Sequence, residues 1–100
     1  MSHTIRHHGE FKMPGGKLVQ ADFRIANGRL VDVEVSGDFF LYPEEALEAI
    51  TSSLEGSLVD LDMVARTALI AEAIPDGVEW LGSSPEALAT AVERAVASIG

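Results

Sequence analysis

The first forty residues alternate. Between residues 4 and 13, Ile5, His7, Gly9, Phe11 and Met13 fall on one face and Arg6, His8, Glu10 and Lys12 on the other, the period-two pattern of a strand. Residues 17–26 alternate more cleanly, with Val19, Ala21, Phe23 and Ile25 inward and Gln20, Asp22 and Arg24 outward. Residues 29–36 repeat the pattern, with Val31, Val33 and Val35 inward and Asp32, Glu34 and Ser36 outward. Asn27-Gly28 between these two runs is a hairpin signal. Side-chain parity bears on the loop. A two-residue loop pairs Phe23 with Asp32, setting an acid beside a core aromatic. A three-residue loop, Ala26-Asn27-Gly28, pairs Phe23 with Val31 and Ala21 with Val33. Parity therefore predicts a type I turn with Gly28 left-handed in a bulge.

Past residue 42 the pattern becomes helical. Pro43 suits a first helical turn, and Glu44 and Glu45 suit its positive end. Leu47, Ile50 and Leu54 make one apolar stripe, and Gly56 stands where a C-terminal cap belongs. A second helix is expected from Asp60 or Asp62 to Ala73. Its apolar residues (Leu61, Val64, Ala65, Ala68, Leu69, Ile70) wrap widely, which predicts the most buried helix. Pro75-Asp76-Gly77 ends it. Residues 78–82 read equally as a short strand, a helical turn or a connector. Ser84 and Pro85 start a last helix, whose stripe is Leu88, Val92, Ala95 or Val96, and Ile99. The fold class implied is α+β: a three-stranded antiparallel sheet followed by three helices packed on one face, in a single domain over residues 1–100.

Two loops stand out. In Lys12-Met13-Pro14-Gly15-Gly16-Lys17, Pro14 keeps Met13 extended, and the glycines permit positive φ and close approach of the backbone. In the second, Gly37 and Asp38 precede four bulky residues, Phe39, Phe40, Leu41 and Tyr42. These four cannot all face one core, so at least one belongs to a surface that something else covers. Phe39 and Phe40 are expected to divide between core and interface. The two loops are expected to form the working edge of the chain.

Composition narrows the function. An apolar fraction of 47% supports a folded core. No apolar run approaches 18 residues, and no apolar stretch follows the basic N-terminus as in a signal peptide, so a cytoplasmic location is the default. Without cysteine there is no thiolate metal site and no cysteine nucleophile. A net charge of −9 argues against nucleic acid and suits a partner with a basic patch, or else reflects the solubility needs of the host.

Candidate chemistry is sparse. Lys12 and Lys17, the only lysines, flank the Gly-rich turn and can reach a phosphate or carboxylate; a Walker loop is missing, and an ordinary turn is the plain alternative. His3, His7, His8 and Glu10 are metal-ligand types, but His7 and His8 point to opposite faces of a strand. Asp38 can cap a turn or meet a basic residue of a partner. Asp60 and Asp62 sit at a helix start, where acids are favoured in any case. Ser52, Ser53, Ser83 and Ser84 lack a nucleophile-elbow context.

The run from Phe11 to Val19 through Pro14-Gly15-Gly16, then the Asn27-Gly28 hairpin, then Val35 to Glu45, then Leu54-Glu55-Gly56, resembles the accessory C-terminal domain of lipoate–protein ligases. The resemblance covers roughly residues 10–56, and residues 57–100 only in helical pattern. In some organisms this domain follows the catalytic domain; in others it is a separate small subunit, the form that a chain of 100 residues beginning with Met1 matches. It implies a reaction in which lipoate and ATP give lipoyl-adenylate and the lipoyl group then passes to a lysine of a carrier domain. The catalytic residues belong to the larger partner, so none is expected in this chain. It also implies that Lys12, Pro14, Gly15, Gly16, Lys17, Gly37, Asp38, Phe39 and Phe40 are contacts at the partner's active-site edge. ATP, Mg and lipoate are expected in the complex, with none bound by this chain alone, and the lipoyl carrier domain is met indirectly. The layout is also similar to the iron–sulfur scaffold and sulfur-acceptor folds, whose cysteines are missing here. Two alternatives remain: a cysteine-free scaffold-like interaction module and an acyl- or lipoyl-binding domain.

Overall fold

The computed structural model describes residues 5–98. Strands β1 (His7–Lys12), β2 (Leu18–Ala26) and β3 (Arg29–Gly37) form an antiparallel sheet in the order β1-β2-β3. The central strand follows its alternation: Val19, Ala21 and Phe23 are fully buried. On β1 the inward residue at the middle is Gly9, where a Cβ would lie 2.2 Å from the Ala91 carbonyl oxygen and from the Ala95 nitrogen. Helix α3 (Pro85–Ala97) therefore rests directly on the backbone of β1. The other sheet face stays polar, with His8 bonded to Asp22 and Arg6 to Glu34.

The hairpin corrects the expected turn. Ala26 pairs with Arg29, and Asn27 and Gly28 both have positive φ (54° and 73°), the two-residue type I′ turn. The parity conflict is relieved further along. Arg24 pairs with Val31 but Asp22 pairs with Glu34, so Phe23 faces both Asp32 and Val33. Asp32 takes φ 54° in this bulge. Before the bulge the inward residue of β3 is Leu30, not the expected Val31; after it Val33 and Val35 face the core as expected. Glu55 holds the bulge, its two carboxylate oxygens accepting the Asp32 and Val33 N–H groups at 2.9 Å each.

Helix α1 (Ala46–Leu54) begins later than expected, three residues after Pro43. The Ala46 and Leu47 N–H groups bond to the Pro43 and Glu44 carbonyls at 3.1 and 3.0 Å, so Pro43 belongs to the approach turn. The chain turns away at Gly56, whose N–H donates to Leu30 at 2.7 Å, and residues 57–59 continue along the start of β3. Helix α2 (Met63–Ala73) is capped by Asp62, whose side chain accepts the Ala65 N–H at 2.8 Å. Its expected deep burial is not seen. Only Arg66 and Ile70 are buried, and Val64 is 80% exposed, because a single face meets α1 and α3. Arg66 is fully buried; it pairs with Glu93 and donates from Nη2 to the Leu58 and Val59 carbonyls. Ser84 caps α3 by accepting the Ala87 N–H, with Pro85 in the first turn as expected. Ile99 lies outside the described residues.

Residues 78–82 resolve as a strand. β4 (Phe40–Tyr42) and β5 (Glu79–Leu81) pair antiparallel as a separate two-stranded ribbon, with Phe40 opposite Leu81 and Tyr42 opposite Glu79. One core joins Phe23, Leu30 and Val35 of the sheet, Leu41 of the ribbon, and Ile50, Leu54, Ile70, Leu88 and Val92 of the helices.

Candidate functional site at the loop edge

Antiparallel pairing puts the β1–β2 turn and the end of β3 at the same end of the sheet. The Gly16 N–H donates to the Met13 carbonyl at 2.8 Å, with Pro14 second in the turn and Gly15 third at φ 73°, a type II turn. Lys17 then donates its N–H to the Gly82 carbonyl at 2.8 Å. The fit is tight: a Cβ on Gly16 would lie 2.9 Å from that carbonyl oxygen and 2.4 Å from Met13 Cγ. On the other side Asp38 donates its N–H to the Leu18 carbonyl at 3.0 Å, and a Cβ on Gly37 would lie 2.1 Å from the same oxygen. Residues 17–18 thus tie together the Gly-rich turn, the Gly37-Asp38 bend and the segment after β5.

The aromatic pair divides between core and exposed surface. Phe39 is buried and stacks on Trp80 with ring centroids 6.3 Å apart. Phe40 points out and is 64% exposed, as are Tyr42 at 71% and Leu81 at 48%. Strand alternation puts Phe40 and Tyr42 on one face, and pairing adds Leu81 to it. A groove of about 530 Å³ adjoins Phe40, lined by Phe39, Phe40 and Leu47 and by the carboxylates of Glu44, Glu45 and Glu48.

The charges sort by use. Every arginine engages the chain itself: Arg6 with Glu34, Arg24 with Asp32, Arg29 with the Gly56 carbonyl, Arg66 with Glu93, and Arg94 with the Glu10 carbonyl while lying over the Phe11 ring. Lys12, Lys17 and Asp38 are exposed, and no side-chain hydrogen bond or ion pair among the described residues involves them. Asp38 is therefore not the turn cap that its position allowed.

The remaining candidates serve the fold. His7 Nδ1 lies 3.2 Å from the Ala95 and Ser98 carbonyl oxygens, and its ring stacks on Phe23. His8, on the opposite face, lies between Asp22 (2.7 Å) and Glu10 (3.1 Å). These bonds, Asp22 first, raise its pKa above the ordinary histidine value. His3 lies outside the described residues. Sequence reasoning missed the outer face of the ribbon, with Tyr42 and Leu81, and the glutamates of the groove. Phe40-Leu41-Tyr42 is apolar throughout, so the sequence carries no alternation that would have shown which of its residues face outward; that appears only in the burial of the folded ribbon.

Exposed loops beside an outward aromatic face make this end of an α+β domain a candidate surface for contact with another molecule. Over 63 residues the chain is 29% identical to lipoate–protein ligase A subunit 2 of Thermoplasma acidophilum, covering 62% of this chain and 67% of that one. Its fold matches a chain from the structure of the bi-partite lipoate protein ligase and E2 lipoyl domain of the same organism, with a TM-score of 0.64 at 23% identity. That match covers 92% of this chain and 97% of the other. No family model matches the chain. Both similarities agree with the resemblance carried by residues 10–56: the chain is similar to the accessory subunit of a lipoate–protein ligase.

Proposed function

We propose that this chain is the accessory subunit of a lipoate–protein ligase and that it assists a separate catalytic subunit in activating lipoate with ATP before transfer to a carrier domain. One observation supports the assignment to this edge: the two loops that bear the resemblance meet at one end of the molecule, with neither lysine side chain bonded to another of the described residues. ATP, Mg and lipoate are held in the pocket of the catalytic subunit. The lipoyl carrier is met through that subunit. The loop edge acts as a clamp, favouring the adenylation-competent conformation by binding it more tightly than the alternative. No helix among the described residues is long and apolar enough to cross a membrane, and we assign the complex to the cytoplasm.

The test is lipoate-dependent pyrophosphate release by the catalytic subunit, with and without this chain. Stimulation is the expected result. An unchanged rate with a folded chain and a competent partner would overturn the proposal.

A further inference from the structure

The ribbon carries an apolar face that the fold leaves open. Phe40, Tyr42 and Leu81 stand on it, all more than two-fifths exposed, and nothing among the described residues packs over them. Such contiguous apolar surface marks a place of contact with another molecule. Its surroundings select the kind of molecule. Glu79 stands opposite Tyr42 on the ribbon, and Glu44, Glu45 and Glu48 share the groove with Phe40. None of these four carboxylates has a basic partner among the described residues, although Glu34, Asp22, Asp32 and Glu93 do. Glu44 and Glu45 lie in the approach to α1 and Glu48 in its first turn, so negative charge gathers on one side of Phe40. No lysine or arginine lines the groove.

We propose that the outer face of the β4–β5 ribbon and the adjoining acidic groove dock a basic protein surface, one that offers an apolar side chain to Phe40 and flanking lysines or arginines to Glu44 and Glu48. This rests on the accessory-subunit reading, which makes the catalytic subunit the occupant. The docking face is distinct in chemistry from the lysine-bearing turn at Lys12–Lys17. The chain thus presents two surfaces: the ribbon for holding the partner and the Gly-rich turn for acting on it. An exposed aromatic in an acidic setting gives the arrangement of a binding hot spot, with an apolar anchor for affinity and charge for encounter rate and selectivity.

The experiment is a titration of the catalytic subunit with the full-length chain by calorimetry at low and high salt, using wild type, Phe40→Ala and Glu44→Lys/Glu48→Lys. Both variants alter exposed side chains, and circular dichroism checks that each is folded. The expected result is at least about tenfold weaker binding by Phe40→Ala. Wild-type affinity falls with salt, and the charge-reversed chain loses that dependence. Wild-type binding with unchanged affinity in both variants would overturn the docking face while leaving the accessory role in place. Absence of both binding and stimulation by wild type would overturn the accessory role and this proposal with it. A wild-type chain that sediments as a dimer and becomes a monomer on Phe40→Ala would show that the face serves a second copy, which also overturns it.

Discussion

His8 is a surface residue whose protonation is coupled to folding. Asp22 and Glu10 stabilise its charged form in the native state, so the folded pKa lies above the unfolded value of about 6.5. The stabilisation is fully present below that unfolded value and is lost as pH rises through the folded pKa. Urea unfolding from roughly pH 6 to pH 9 should show this loss in wild type, and His8→Gln should flatten it; parallel profiles would contradict it. Its neighbour Gly9 serves packing, since a Cβ there would lie 2.2 Å from the α3 backbone, which leaves no room for a methyl group. The two residues were legible to different degrees. Alternation put His8 outside and Gly9 inside, but nothing local announced that a helix some eighty residues later would press on Gly9.

At the scale of elements, the bulge in β3 shows what parity alone could not settle. The choice between a two- and a three-residue loop assumed an unbroken ladder. The chain instead keeps the type I′ turn that Asn27-Gly28 favours and corrects the parity at Asp32. At the bulge two successive N–H groups, of Asp32 and Val33, bond to Glu55, which reaches them from the end of α1. Glu55→Ala should therefore lower stability by about 1–3 kcal/mol, the cost of losing bonds to a charged acceptor at a partly buried site. Denaturant unfolding measures it, and a loss below about 0.5 kcal/mol would show that water replaces the carboxylate freely. In the Leu54-Glu55-Gly56 run, the leucine and glycine follow the stripe and cap that periodicity predicts, and the structure adds the part of Glu55 as bulge clamp.

The whole molecule combines a sheet, a helical layer and a ribbon into an object 43 × 24 × 24 Å in extent, with the loop edge at one end of the sheet. Function on the reading proposed above belongs to this assembled edge, because the Gly-rich turn is positioned by Gly82 and the Asp38 bend by Leu18. Lys17→Ala or Asp38→Ala removes an exposed side chain without disturbing those backbone bonds. Each should lower stimulation of pyrophosphate release severalfold with the melting temperature within about 4 °C of wild type, since surface changes typically cost under about 0.5 kcal/mol. Full stimulation by both would move the acting surface away from these loops.

Local pattern alone determined the three long strands, the cap at Ser84 and the Gly56 turn; it left the start of α2 between Asp60 and Asp62 and did not say which of Phe39 and Phe40 faces out. Each feature it determined depends on neighbours within a few residues, through side-chain alternation, capping chemistry or the φ that a turn demands. The hairpin register, the burial of Arg66, the modest burial of α2 and the β4–β5 pairing were decided only by the tertiary structure. Each depends on contact between segments far apart in the chain: Glu55 with Asp32, Arg66 with Glu93, Phe40 with Leu81. Periodicity ranks the faces of a segment by hydrophobicity, but which face is covered depends on what packs against it. For α2 that left Val64 in water, and for β4 it left Phe40 facing outward.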